Sequence, residues 1–217
     1  MQIYAHRGAS QTHSENTIGA FAEAVRLGVD GVELDIHATS DGIPVVIHDS
    51  SLSRTSGTDL DVPDLSLERL RAVAPTVPTF AEVLDIVGSA VHFDIEVKQA
   101  GIEREVLGLL GHYPDSRWSI SCFDWTVLEQ FRALHEECDL WLLSPLFTDD
   151  LLQTAARLGA TAAALYAPAI ERQTVDAAHA AGLKVMAWTV NDVARAEELE
   201  DWGLDMLCSD APHLFVR

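Results

Sequence analysis

Glu33 and Asp35 stand two residues apart in the run VDGVELDIHATSDGIPVVIHD, residues 29–49. Val32, Leu34 and Ile36 interleave with them, a period-two pattern that predicts a β-strand. Residues i and i+2 of a strand leave from one face, so the two carboxylates converge while the aliphatic side chains leave by the other. Two acids so placed repel each other, and burying them unpaired is costly. A hard divalent cation relieves both problems. The chain then turns at Thr39-Ser40-Asp41-Gly42 and returns as Ile43-Pro44-Val45-Val46-Ile47. A hairpin centred on residues 40–41 sets Asp35 opposite Val46 and Glu33 opposite His48, which brings an imidazole beside the acids.

The same alternation recurs in DIEVK, residues 94–98, where Asp94, Glu96 and Lys98 share one face and Ile95 and Val97 the other. Taken singly, each of these residues has an ordinary reading: a solvated strand face, a structural histidine, a core tryptophan. Taken together they make a site. Glu33, Asp35 and Glu96 form a hard-oxygen set suited to Mg²⁺ or Ca²⁺. Arg7 and Lys98 supply local positive charge, and His6 and His48 can serve as base and acid. A carboxylate-held metal, two imidazoles and an Arg/Lys pair suit phosphoryl transfer. The other histidines, His13, His37, His92, His112, His135, His179 and His213, read as surface or structural.

Four segments run from a helical stretch through a glycine into a short apolar strand, at Gly28, Gly159, Gly182 and Gly203. That repetition predicts βα units on a parallel sheet. Eight strands are expected, at residues 3–6, 31–36, 91–97, 118–121, 140–143, 161–165, 183–188 and 205–208, without the returning arm 44–48. Helices fit between them. Asn16, Asp124, Thr148 and Asn191 are placed as N-caps, and Thr79 with Glu82 makes a capping box. The expected fold is α/β, a single (β/α)8 TIM barrel over residues 1–217. The rival, an open doubly wound sheet, lacks a glycine-rich phosphate fingerprint after the first strand. Residues 49–77, rich in Ser, Thr, Asp and Pro, read as a short insertion over the barrel mouth, with one short helix around Leu65, Leu67 and Leu70. Strand ends meet at the active face of such a barrel, and there lie His6-Arg7-Gly8, His48-Asp49, Trp188 to Asn191 and Ser209-Asp210.

A net charge of −20 argues against nucleic acid or an anionic membrane as partner, so an anionic substrate must meet locally supplied cations. No stable membrane association is expected, since no apolar run is long enough to span a bilayer. The N-terminal MQIYAHRGAS has no signal-peptide pattern. Three well-separated cysteines, Cys122, Cys138 and Cys208, read as buried reduced thiols of a cytoplasmic protein.

The chain resembles the glycerophosphodiester phosphodiesterase family. The matching pieces are AHRGAS (5–10), ENTIGAF (15–21), GVDGVELDIHATSDGIPVVIHD (28–49), LSRTSG (52–57), DIEVK (94–98), MAWTVND (186–192) and SDAP (209–212). They fall in family order and reach both ends of the chain. The resemblance implies a (β/α)8 barrel with a small insertion after His48-Asp49. It implies hydrolysis of sn-glycerol-3-phosphodiesters, small molecules derived from deacylated phospholipids, to an alcohol and glycerol 3-phosphate with a divalent cation. It puts the metal ligands at Glu33, Asp35 and Glu96, the catalytic histidines at His6 and His48, the phosphate contacts at Arg7 and Lys98, and a substrate-side tryptophan at Trp188. No motif position is lost. Asp94 is a departure, since the family often has an uncharged residue there.

The nucleophile stays open between water and the glycerol 2-hydroxyl, the latter passing through a cyclic phosphate as in related phosphatidylinositol-specific phospholipases. One alternative is a phospholipase D-like or cyclising phosphodiesterase acting on lysophospholipids. It needs an apolar landing surface, which the polar insertion does not offer. Another is a non-catalytic anion- or metal-binding module, in which both histidines would be idle.

Overall fold

A computed structural model describes residues 1–216. The chain runs β1 (Gln2–His6), α1 (Ile18–Leu27), β2 (Gly31–Ala38), β3 (Pro44–Val46), α2 (Ser53–Ser56), α3 (Leu67–Val73), α4 (Phe80–Val87), β4 (His92–Val97) and α5 (Glu103–Leu110). It continues with β5 (Arg117–Cys122), α6 (Trp125–Leu134), β6 (Leu140–Ser144), α7 (Asp149–Leu158), β7 (Ala162–Tyr166), α8 (Arg172–Ala180), β8 (Lys184–Trp188), α9 (Val193–Asp201) and β9 (Met206–Ser209). Strands pair in the order β1-β9-β8-β7-β6-β5-β4-β2, and β2 closes back on β1. Every one of these pairings is parallel, so the sheet is a closed (β/α)8 barrel, as the repeated helix–glycine–strand pattern predicts.

Alternation sorts each strand between two environments. The outward residues Val32, Leu34 and Ile36 of β2 and Phe93, Ile95 and Val97 of β4 join Phe21, Phe80 and Leu84 of the helices in the main core. Each such buried aliphatic or aromatic side chain contributes about 1.5–3 kcal/mol. The inward residues face the barrel interior. On β1, β6, β7, β8 and β9 they form an apolar cluster that includes Tyr4, Trp141, Ala164, Met186 and Met206. On β2 and β4 they are Glu33, Asp35, Asp94 and Glu96, all buried. Cys122, Cys138 and Cys208 are buried and unpaired. Among the described residues no helix is long and apolar enough to cross a membrane.

β1 pairs with β2 only as far as Glu33, and β3 then joins β2 antiparallel beyond that point. The hairpin register differs by one residue from the sequence expectation. Ile36 faces Val46, and the Ile47 amide donates to the Asp35 carbonyl at 2.9 Å, so Asp35 lies opposite Ile47 and not Val46. The loop is the cause: it holds five residues centred on Asp41, closed by the Thr39 amide on the Ile43 carbonyl, with Gly42 at φ 78°. His48 therefore reaches the mouth from the segment after β3.

Thr79 and Glu82 form the expected capping box, and Asp124 and Thr148 cap as expected. Two other caps fall one residue later than expected. Thr17, not Asn16, caps α1, and Asp192, not Asn191, caps α9. Residues 49–77 carry two short helices, α2 and α3, where the sequence suggested one. They pack Leu52, Val62, Leu65 and Leu70 on Val45 and Ile47 as a small separate core.

Candidate active site

Three carboxylates converge at the C-terminal end of the barrel. One oxygen each from Glu33, Asp35 and Glu96 lie within 4.8 Å of one another, and all three residues are buried. Register explains this: Asp35 is level with Glu96 across the β2–β4 pair, and Glu33 is level with Asp94. Burial, then the neighbouring acids Asp35 and Glu96, push Glu33 well above the ordinary carboxylate range. Burial and Asp35 raise Glu96 to about 7. Burial lifts Asp94 to about 7. Burial opposes ionisation of Asp35 too, but Lys98 and Arg7 outweigh it and hold that carboxyl below its usual range. Glu33 Oε1 is buried without a hydrogen-bond partner. An orphaned oxygen, three convergent acids and raised affinities for protons fit a hard divalent cation.

Lys98 Nζ lies 3.1 Å from Asp35 Oδ1 and also pairs with Glu96. Arg7 Nε lies 3.2 Å from Asp35 Oδ2. Arg7 follows β1 in the left-handed region at φ 56°, and Gly8 continues there at φ 80°. This turn aims the Arg7 amide at Glu33 Oε2, 2.9 Å away. Gly8 has no room for a side chain, because a Cβ would fall 2.7 Å from the backbone of Ala20.

The two histidines are anchored alike. His6 Nδ1 is 2.6 Å from Asp210 Oδ1, and His48 Nδ1 is 2.6 Å from Asp49 Oδ1. His6 Nε2 stands 3.9 Å from Glu33 Oε2. Both histidines line a cavity of about 240 Å³ with Arg7, Glu33, Glu96, Lys98 and Trp188. The barrel thus collects seven of the eight residues expected from the sequence around one cavity, and Asp35 lies directly beneath them, in contact with Arg7 and Lys98.

Several neighbours escaped the sequence reading. Asn16, φ 54°, donates its amide to Asp35 Oδ2 at 2.7 Å. Asn191 donates to Asp210 Oδ2 at 2.7 Å, and Ser10 Oγ donates to Asp210 Oδ1 at 3.1 Å. Opposing the burial of Asp210, these bonds and His6 hold its carboxyl down at about 2. Phe123 also lines the cavity, edge-on to Trp188 with ring centroids 5.5 Å apart, and Tyr166 meets Trp188 at 5.5 Å. Phe123 and Tyr166 are 46% and 45% exposed, so an aromatic rim borders the mouth. The only advance sign of it was the place of these residues at strand ends.

Comparison with known proteins identifies the family. The model of the "Glycerophosphoryl diester phosphodiesterase family" matches residues 6–214. A glycerophosphodiester phosphodiesterase of Bacillus altitudinis is 31% identical over 100% of this chain and 97% of its own length. One from Caldanaerobacter subterraneus subsp. tengcongensis is 29% identical over 99% and 96%. The solved structure of an Oleispira antarctica phosphodiesterase, in complex with the product sn-glycerol-3-phosphate, is 28% identical and superposes with a TM-score of 0.91. That match covers 99% of this chain and 94% of the other. By sequence over nearly its whole length and by fold, the chain belongs to the glycerophosphoryl diester phosphodiesterase family.

Proposed function

We propose that this protein hydrolyses sn-glycerol-3-phosphodiesters to an alcohol and glycerol 3-phosphate, with His6 and His48 transferring protons on either side of the phosphorus. The observation that carries this reading is the pair of imidazoles, each fixed through Nδ1 to an aspartate, facing one cavity beside three convergent carboxylates. Glu33, Asp35 and Glu96 would hold a divalent cation, Mg²⁺ or Ca²⁺. Such an ion, when bound, polarises a phosphoryl oxygen and offsets the charge that builds on it. Arg7 and Lys98 bring further positive charge to the phosphate, in a protein whose net charge is −20. Asp210 and Asp49 each accept from an Nδ1–H, which leaves Nε2 to exchange the proton. Trp188 and Phe123 form an apolar wall of the cavity. Three buried free thiols support a reducing, cytoplasmic setting.

The test is release of glycerol 3-phosphate from glycerophosphocholine or glycerophosphoethanolamine. EDTA should abolish it and Mg²⁺ or Ca²⁺ restore it, and His6→Ala or His48→Ala should each cost at least about a hundredfold in kcat. Full turnover in EDTA removes the metal from the reading; a normal rate for either variant removes that histidine. Accumulation of a cyclic phosphate would assign the glycerol 2-hydroxyl as nucleophile. Action on lysophospholipids is a second reading, supported by the exposed Phe123, Leu146 and Tyr166 after β5, β6 and at the end of β7. Faster turnover of lysolipid than of its deacylated counterpart would favour it.

A further inference from the structure

His48 and Arg7 approach the cavity from different strands, yet a single side chain of the insertion ties both in place. Arg54, on α2, donates Nε to Asp49 Oδ2 at 2.5 Å. Asp49 turns its other oxygen, Oδ1, to His48 Nδ1. The rest of the Arg54 guanidinium forms a fork on Glu15, with Nη1 to Oε2 at 3.0 Å and Nη2 to Oε1 at 2.8 Å. Glu15 Oε1 also accepts from Arg7 Nη1 at 3.0 Å. Polar contacts therefore run without a gap from His48 through Asp49, Arg54 and Glu15 to Arg7, and on to Asp35.

Two observations separate this chain of contacts from an ordinary surface ion pair. Its guanidinium uses all three nitrogens on two carboxylates, a planar match that a point charge cannot reproduce. Its backbone is also held, because Leu52, next to α2, is fully buried in the small core of the insertion and Gly57 caps the helix at φ 69°. The same contacts hold Asp49 ionised: hydrogen bonding from Arg54 first, then from His48, pulls its carboxyl down to about 2 against its partial burial.

We propose that Arg54 is a positioning residue, delivered by the insertion, that fixes the proton-transferring His48 and the phosphate-facing Arg7 in one mutual geometry. The inference rests on the roles given above to His48 and Arg7. Without Arg54, Asp49 is free to leave Nδ1 and Glu15 is free to pull Arg7 away, so proton transfer and phosphate binding should weaken together.

The experiment uses the full chain with saturating Mg²⁺ and glycerophosphocholine, and compares Arg54→Ala, Arg54→Lys, His48→Ala and the double variant Arg54→Ala/His48→Ala. Arg71→Ala, which breaks the exposed ion pair with Glu82, is the control and should keep parental kinetics. Arg54→Ala should lower kcat by about ten- to a hundredfold and raise KM, with a melting temperature within about 4 °C of the parent. Arg54→Lys keeps the charge but not the fork, and should still lose at least about fivefold in kcat. Because Arg54 acts on kcat through His48, adding Arg54→Ala to His48→Ala should cost less than about threefold more. Parental kcat and KM in Arg54→Ala overturn the inference. So does an equal kcat loss with and without His48, which would mark a general effect on the fold. Should Arg54→Ala not fold, parental kcat in Arg54→Lys overturns it equally. A normal rate in His48→Ala refutes instead the role given to His48, whatever Arg54 does.

Discussion

The interior of the barrel has two unlike halves. On β2 and β4 the inward positions are Glu33, Asp35, Asp94 and Glu96. Across the barrel, the inward positions of β6 to β9 carry Trp141, Leu143, Ala164, Met186 and Met206. Both are buried faces of parallel strands of one sheet, so the difference is chemical. The apolar half gains free energy from every side chain it buries. The acidic half loses it, because its carboxylates are stripped of water and face one another. Arg7, Lys98 and the amide of Asn16 compensate most fully at Asp35, while Lys98 also pairs with Glu96 and the Arg7 amide donates to Glu33. Glu33 is left with an unpartnered oxygen. One half of the interior builds stability, and the other spends part of it to keep a poised charge.

Substitutions can break or sharpen that contrast. The largest effect belongs to the acidic half: Asp35→Asn should cost at least about a hundredfold in kcat/KM, since even the outer supports of a metal site cost ten- to a hundredfold. It should also destabilise the chain by removing the charge that Arg7 and Lys98 share, and a steady-state assay with a melt would register both. Next, Met206→Ala in the apolar half should lose about 2–5 kcal/mol in urea denaturation, with kcat changed little well below the melting temperature. A collapse of activity in the folded variant would show that the two halves are not separable.

Glu33→Gln should do the reverse of Met206→Ala. In EDTA the variant should melt about 2–4 °C above the parent, because a repelled and desolvated carboxylate is gone, while activity is lost. A lower melting temperature would mean that the acid helps hold the fold without metal. The smallest effect is in acid. Asp49 and Asp210 have carboxyls lowered from the ordinary 3.8 to about 2, so the stability they add is complete above about pH 4 and is lost as pH falls toward 2. Urea midpoints between pH 5 and 2.5 should fall less steeply in Asp210→Asn than in the parent.

What the sequence disclosed follows the same division. Strict alternation around Glu33, Asp35, Asp94 and Glu96 made both the barrel and its acidic interior legible, because period two survives any tertiary context. Helix–glycine–strand units gave the topology for a similar local reason. The supports were harder to read. Asn16 and Asn191 have the residue type of a cap and stand one place before the real one, so local preference masked their bonds to Asp35 and Asp210. The hairpin register slipped by one because a five-residue loop and a four-residue turn look alike in sequence. Arg54 and Glu15, 39 residues apart and partly exposed, carry no periodicity at all; only the folded chain brings them together.

The three sealed cysteines give this molecule a built-in clock. Cys208 sits at the floor of the cavity, Cys122 ends β5 with its Sγ on the Val97 carbonyl, and Cys138 lies just before β6, remote from the cavity. Burial lifts the Cys122 and Cys138 thiols to about 12, so a disulfide reagent at neutral pH can modify them only while the surrounding segment is open. Comparing how fast each is labelled, with and without divalent ion, would time the breathing of three regions without adding a probe.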